Sequence, residues 1–514
     1  MFKIKKIQII ACALAAGVSV SACGQANTSP GADTSVAAQT AASASAAAAD
    51  VFNGRLSIAC FSPGRGENFL NDAAQRFMQM HTGVTVTVTA FSKPPEVRTG
   101  QDANGNPQAM VTINENQQAQ EEADYIESVS TELMSGKGAD IYMMDILPYQ
   151  KYTENGQLVD LNPFMDGDQA FNKADYNMNV LNPAKYNGKQ YIFPLAYSFN
   201  IFMYNSKLLN AKAQDELAGG GPFTYEQLIG IGKDSFEANK ANGDTSFMFP
   251  MHDPQEVGLM NEMMIQDNSR YLDVIGKKAD FGQDFINLLK FVKDAADKGY
   301  IQKSAARTNS GENVIVKGGN PNQRFYFMNL YSDQLLWMYY DKETGGSHDD
   351  GMRIAGLSAG SGGKGQYQYE QAVSVNANSA QKALAWEFIK FMEENAAPQS
   401  LDIRGSLVYK PGDAELVKNT ITGAIKSQSG QSQTETPASE TAPANLTPEE
   451  QKAFDDYMAA LDSYAKDIVG IVIPPDASIQ NMIETELKSY FTGEKSAEDA
   501  AASLQNRIDL YLNE

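Results

Sequence analysis

The sequence predicts an α/β protein built as two lobes, and three observations carry that prediction. Strand-like apolar or alternating runs take turns with amphipathic, helix-like stretches along most of the chain. That alternation is the signature of a largely parallel sheet covered by helices. It occurs in two blocks, one before and one after residue 195, with no internal repeat relating them. The chain's 514 residues, 42% hydrophobic, hold enough apolar material for more than one core.

Taken in order, Leu56–Phe61 reads as a buried strand, followed by the loop Ser62-Pro63-Gly64-Arg65-Gly66-Glu67. A helix then places Phe69, Leu70, Ala73, Ala74, Phe77 and Met80 on one face. Gly83 ends it, and Val84–Thr89 alternates strictly, as a half-buried strand does. Residues 93–117, with Pro, Gly, Asn and Gln, read as a surface excursion. A helix through Tyr125, Val129 and Leu133 ends at Gly136 and leads into the strand Asp140–Met144. Further strands fall around Ile192–Pro194 and Phe202–Tyr204. Helices near 224–239, 255–268 and 281–298 enclose strands at Phe247–Phe249 and Phe325–Phe327. Residues 426–445, rich in Ser, Gln, Thr, Pro and Ala, read as an exposed insertion. Ser478 is placed to cap the tail helix, whose stripe is Ile479, Met482, Ile483, Leu487, Tyr490 and Phe491.

The charge balance narrows the function. Lys and Arg number 41 against 63 Asp and Glu, a net charge of −22, which excludes a duplex-binding protein. At the N-terminus, Lys3, Lys5 and Lys6 precede the apolar run Ile9–Val20 and then Ser21-Ala22-Cys23. This is the layout of a secretory signal over residues 1–22. Its end is similar to a bacterial lipobox, which implies that Cys23 is acylated and holds the protein on the outer face of the cell membrane. Residues 23–50 are almost entirely Ala, Ser, Thr, Gln and Gly, the composition of a flexible tether. Beyond the leader no run approaches the ~18 apolar residues of a spanning helix, so membrane contact is through the lipid alone. Cys60 is left as a lone thiol in an apolar strand, a small buried hydrophobe.

Compact catalytic signatures fail on context. Gly360-Ser361-Gly362-Gly363-Lys364-Gly365 satisfies a dinucleotide fingerprint literally, but the residues after it read as a strand, not a helix. As a phosphate loop it lacks the first glycine, where Ser358 stands, and the final Ser or Thr, where Gly365 stands. His348-Asp349-Asp350 and Asp166-Gly167-Asp168 lack a full ligand set and read as solvated loops. No cofactor or metal is implied.

A series of ordered stretches resembles one family. They are Phe69–Phe77 with Gly83–Val88, Ser135–Ile141, Gly156–Leu161, Gly188–Pro194, Tyr204–Leu209, Phe223–Leu228, Ala385–Met392 and Asn506–Glu514. In that order, behind a lipobox, they resemble the extracellular solute-binding proteins of bacterial ABC importers, the group typified by maltose-binding protein. The resemblance implies a two-lobe periplasmic-binding-protein fold of type II, hinged, with ligand held in the cleft. One lobe would span 51–195 with about 375–405, the other 199–370 with about 410–514. The crossing segments would fall near Leu195–Phe199, Gln371–Ser374 and Ser406–Tyr409. It further implies a monomeric, non-catalytic receptor that hands a carbohydrate to membrane permease subunits. A surface-anchored glycan-active enzyme or a sensor lipoprotein are the alternatives.

A sugar cleft needs carboxylates, amides or guanidinium groups for hydroxyls and flat aromatic surfaces for ring faces. In such folds these come from loops beyond strand ends. The candidates are Phe61, Ser62 and Glu67 after the first strand, Asp145 after Met144, and Tyr197 and Ser198 at the first crossing. In the second lobe they are Asp253 in Phe249–Pro254, Tyr331 beyond Phe325–Phe327, and Arg404 near the third crossing. Glu67 could equally favour a helix dipole, Asp145 cap its loop, and Asp253 make an Asp-Pro turn. Trp337 and Trp386 read as core residues.

Overall fold

The structure, a computed structural model, describes residues 52–61, 65–92, 97–101, 107–111, 115–242, 248–249, 255–273, 276–301, 325–330, 339, 351–360, 362–400, 402–428, 446–472 and 477–513. The leader, Cys23 and the tether lie outside the described residues, as does most of the 426–445 insertion.

The chain opens with strand β1 (Asn53–Cys60), helix α1 (Arg65–Met80) and strand β2 (Gly83–Ala90). The two strands pair in parallel from Asn53 opposite Gly83 to Cys60 opposite Ala90. Phe69, Leu70, Ala73, Ala74 and Phe77 form the buried face as read, each at most 3% exposed, but Met80 at the end of the helix is 64% exposed and not part of it. Each large side chain so buried contributes about 1.5–3 kcal/mol, which is why α1 lies flat on the sheet. The 93–117 excursion contains a hairpin of β3 (Val97–Gln101) and β4 (Pro107–Val111), which pair with each other, and runs into α2 (Glu115–Met134). Strand β5 (Ile141–Met143) pairs in parallel with β1. Short helices α3 (Tyr149–Glu154), α4 (Asn162–Gly167) and α5 (Met178–Leu181) follow.

Next comes one strand of 13 residues, β6 (Phe193–Asn205), where the sequence suggests two. All but one of its residues are buried, so the polar residues at its middle are accommodated by neighbours rather than by a break. Helices α6 (Ala211–Ala218), α7 (Tyr225–Ala241), α8 (Gln255–Gln266) and α9 (Asn268–Tyr271) lead to a small hairpin, β7 (Leu272–Asp273) and β8 (Lys278–Ala279). Helix α7 starts at a full capping box, Thr224 with Gln227. Of Phe247–Phe249, Phe247 lies outside the described residues, and Phe249 makes a parallel bridge to Ile301. Then follow α10 (Gln283–Asp297), β9 (Phe325–Leu330), β10 (Met352–Leu357), β11 (Gly365–Val375) and α11 (Lys382–Phe391). The glycine-rich stretch before β11 does run into a strand. The chain closes with β12 (Ser406–Leu407), α12 (Lys410–Gln428), α13 (Pro448–Lys466), β13 (Ile468–Ile471), α14 (Ala477–Phe491) and α15 (Ala497–Asn513). Ser478 therefore lies inside α14 rather than capping it.

The main sheet runs β10-β6-β11-β5-β1-β2, with β9 and β12 also on β6 and β13 on β11. Strand β6 changes partner along its length: Phe193–Ser198 pairs with β11, whereas Phe199–Tyr204 pairs with β9. On β12, Ser406 lies opposite Tyr197, itself opposite Tyr369 of β11. Three passes of the chain thus meet at Tyr197. One large core gathers α1, β1, β2 and α11, and α12 and α13 also rest on it. A second gathers α6–α8, α10, α14 and α15 around the far half of β6.

Asp166 is solvent-exposed as read, whereas Asp168 is not. Asp168 accepts a 3.0 Å hydrogen bond from Trp386 Nε1 and pairs with Lys390, while Asp166 pairs with Lys173. Trp386, 3% exposed, is in the core as read.

Candidate functional site

The site forms where the start of α1, the end of β5 and the middle of β11 converge. A Cβ added at Gly66 would lie 3.8 Å from the Met143 methyl and 3.9 Å from the Gln371 amide nitrogen. The pairing of β11 with β6 slips on both sides of Gln371: Tyr369 is opposite Tyr197 and Gln371 opposite Ala196, leaving Glu370 as an extra residue. Such a bulge breaks the alternation of a strand and re-aims side chains. Glu370 is thereby brought beside Ser198 of β6, whose hydroxyl donates to Oε1, and Gln368 Nε2 donates to the same oxygen at 3.2 Å. Gly405 passes directly over the bulge at φ +88°. A Cβ there would lie 2.4 Å from the Tyr197 carbonyl oxygen and 3.1 Å from Glu370 Cγ, so only glycine fits.

Asp145 lies just beyond β5 and feels the charge of Glu370. Asp145 is exposed. Even so, desolvation by the surrounding protein, and then the Glu370 charge, push its pKa up to about 7. Cys60 lies beneath, buried and unpaired. Burial first, then Glu67 and Asp145, push its thiol up to about 12, so it stays protonated and inert. Tyr125 and Tyr369 also feel the Asp145 charge, and burial is the larger cause holding both phenols protonated. An aromatic wall stands alongside: the ring of Phe61 is 5.5 Å and that of Phe91 5.2 Å from the ring of Tyr125. Phe91 is 43% exposed, an apolar face turned to solvent.

Among the sequence candidates, the structure brings together Phe61, Glu67, Asp145 and, through Glu370, Ser198. Glu67 occupies the first turn of α1, half-buried. Arg404 is exposed, next to Gly405. Tyr197 is 3% exposed, its ring against Phe199 and Tyr367 and its hydroxyl accepting from Asn177 Nδ2 at 3.0 Å; it supports the crossing rather than lining the groove. Ser62, Asp253 and Tyr331 lie outside the described residues. Sequence reasoning missed Glu370, Gln371, Tyr369 and Tyr125. The run Gln366-Tyr367-Gln368-Tyr369-Glu370-Gln371 carried the signal, a strand with unusually many polar groups.

The floor offers hydrogen-bond acceptors beside aromatic faces, suited to binding a polar molecule with flat apolar surfaces. Among the described residues, no cluster of His, Cys, Asp and Glu could hold a metal ion, and no helix is long and apolar enough to cross a membrane. A separate cavity of about 250 Å³ lies at the N-terminus of α7, lined by Gln266, Arg270, Tyr271 and Asp284 among others. It shares no residue with this floor.

The fold has solved counterparts. An extracellular solute-binding protein family 1 member from Alicyclobacillus acidocaldarius matches with TM-score 0.53 at 14% identity, covering 90% of this chain and 99% of that one. The sugar-binding protein MalE from Xanthomonas citri matches with TM-score 0.53 at 14% identity, over 90% and 98% of the two chains. A cyclic alpha-maltosyl-1,6-maltose binding protein from Arthrobacter globiformis matches with TM-score 0.50 at 14% identity, over 90% and 99%. Comparison with curated protein sequences returned no match. The family model for bacterial extracellular solute-binding proteins matches residues 110–397, more than half of the chain. That match shows the family: the chain belongs to the bacterial extracellular solute-binding proteins.

Proposed function

We propose that this protein is a lipid-anchored, monomeric receptor that captures a carbohydrate in the groove and delivers it unchanged to the permease subunits of an ABC importer. The observation that carries the ligand class is the cluster of Phe61, Tyr125 and Phe91 rings next to the acidic Asp145. Carboxylates accept from sugar hydroxyls and aromatic rings cover the apolar ring faces. The sugar-binding proteins with the same fold support this reading. Cys23 carries the acyl anchor after removal of residues 1–22, and 23–50 is the tether. The lobes are 51–195 with about 375–405, and 199–370 with about 410–514, the latter's α12 and α13 resting on the first core. Ser62, Asp253, Tyr331 and Arg404 are further ligand contacts in this reading.

The test is a thermal-shift screen of the mature protein against a panel of oligosaccharides, with mass spectrometry of each glycan afterwards. Bound ligand raises the melting temperature by mass action. A shift with glycan recovered intact supports capture. No shift across the panel overturns the ligand class, and cleaved glycan overturns the role. Replacing Cys23 with serine should move the protein from the membrane fraction to the medium; unchanged membrane attachment contradicts the anchor.

A further inference from the structure

We propose that the segment Gly405–Tyr409 is a proton-dependent strap: fastened over the bulge of β11 while the Asp413 carboxyl is neutral, it opens when that carboxyl ionises. Three consecutive residues of the segment are each held by a group outside it. The Leu407 N–H donates to Asp413 Oδ1 at 2.8 Å, the Val408 carbonyl accepts from the Asn177 N–H at 2.8 Å, and the Tyr409 N–H donates to Glu393 Oε2 at 3.2 Å. Leu407 and Val408 are 1% and 0% exposed, and Asp413 and Glu393 are 4% and 0% exposed, so these bonds are made out of water. At its other end the segment presses on the bulge: a Cβ at Gly405 would lie 3.1 Å from Glu370 Cγ. Movement of the strap therefore frees the residue that the bulge presents.

The surroundings of Asp413 favour its neutral form. The titratable groups around it are Asp462 of α13, Tyr197 of β6 and Glu393 beyond α11: two acids and a phenol. Among the described residues neither Asp413 nor Glu393 has an ion-pair partner, and the nearby cations are engaged elsewhere. Lys390 pairs with Asp168 and Glu387, Arg76 donates to the Asn395 carbonyl and to Gln399, and Lys418 lies over the Phe454 ring. A buried carboxylate with no cation is costly, and burial first, then Asp462, raise the Asp413 pKa from 3.8 to about 7. Burial holds Glu393 well above the usual carboxylate range, so it keeps its proton and does not switch. Opening the strap lets water reach Asp413 and returns it to the ordinary range. The closed form is thus fully favoured below the open-state value of 3.8 and loses that advantage as pH rises to about 7.

The test is residue-resolved hydrogen–deuterium exchange of the ligand-free mature protein at pH 5 and pH 7.5, each amide scaled to its rate in an unfolded chain at that pH. Protection at Leu407, Tyr409 and Asn177 should fall by about ten-fold or more between the two conditions. The amides of Val159 and Leu161, which donate to Val375 and Gln190 at 2.9 and 2.7 Å in the same lobe, should remain better protected than those three at pH 7.5. Asp413→Asn keeps an oxygen for the Leu407 N–H but cannot ionise, so its strap amides should show the same protection at both pH values. Glu393→Gln should leave the fall in place. If Asp413→Asn does not fold, the unaltered protein and Glu393→Gln decide. Protection independent of pH, or a fall that persists in Asp413→Asn, overturns the strap. A fall shared equally by Val159 and Leu161 is loss of global stability and overturns it too.

Discussion

The Ser198 hydroxyl of β6 donates a hydrogen bond to the Glu370 carboxylate at the bulge of β11. It ties two crossing strands together one residue before β6 exchanges β11 for β9. Ser198 is 1% exposed, so the bond is made out of water. Ser198→Ala should lower stability to urea by about 1 kcal/mol, the net worth of one such bond. An unchanged midpoint would show that Gln368 alone holds Glu370.

Glu370 also acts on Asp145 through space. Glu370→Gln removes a like charge, so the Asp145 pKa should fall from about 7 toward the ordinary carboxylate range without reaching it, because burial is the larger cause. Carbon-detected NMR titration of the carboxyl reads this directly. A titration that does not move contradicts the placement of the two groups across the groove.

Stability of the ligand-free protein should depend on pH in an unusual sense. Asp413, 4% exposed, accepts from the Leu407 N–H at 2.8 Å. Burial first, then the Asp462 charge, raise its pKa from 3.8 to about 7. Between those values the native state holds a proton that the unfolded state has released. Unfolding free energy therefore falls as pH rises through about 4 to 7. Asp145 and Glu262 act with the same sign. Melting temperatures at pH 5 and pH 8 check this: the wild type should be more stable at pH 5, and Asp413→Asn should flatten the difference.

Glu486 works in the opposite sense. Buried on α14, it pairs with Lys495 and accepts from Ser503 at 2.8 Å and Arg507 at 3.0 Å on α15. These partners lower its pKa although burial alone would raise it. Its contribution is present at neutral pH and lost as pH falls through the acid range. Glu486→Ala should cost about 1–3 kcal/mol at pH 7 and less at pH 3. Denaturant titrations at both pH values give the comparison.

At Gly405 the backbone itself is the constraint. Gly405→Ala places a methyl 2.4 Å from the Tyr197 carbonyl oxygen at a positive φ. A loss of about 1–3 kcal/mol is expected, with weaker ligand binding because the bulge beneath must shift. Wild-type melting and affinity would contradict the tight crossing.

What the sequence made legible was local. The α1 stripe, the alternation of Val84 and Val86, and Asp145 at a strand end follow from periodicity and chain order alone. Glu370 did not, because its direction is set by a slip between β6 and β11, segments more than 160 residues apart. Tyr197 lies on β6, but its ring is buried against Phe199 and Tyr367, a direction that depends on the same register. The polar middle of β6 suggested a break because Ser198 and Asn200 find partners only in the folded sheet: Glu370 takes the Ser198 hydroxyl, and Asn200 lies opposite Asn329. The 93–117 hairpin was hidden by turn-forming residues on strands that pair only with each other.

The most direct measurement is a crystal structure of the mature protein with its tightest-binding glycan. The glycan should lie intact between Asp145 and Glu370, with a sugar face against the Phe61–Tyr125–Phe91 wall. A glycan seated instead in the cavity of Gln266 and Arg270, with the groove filled only by water, would contradict the assignment.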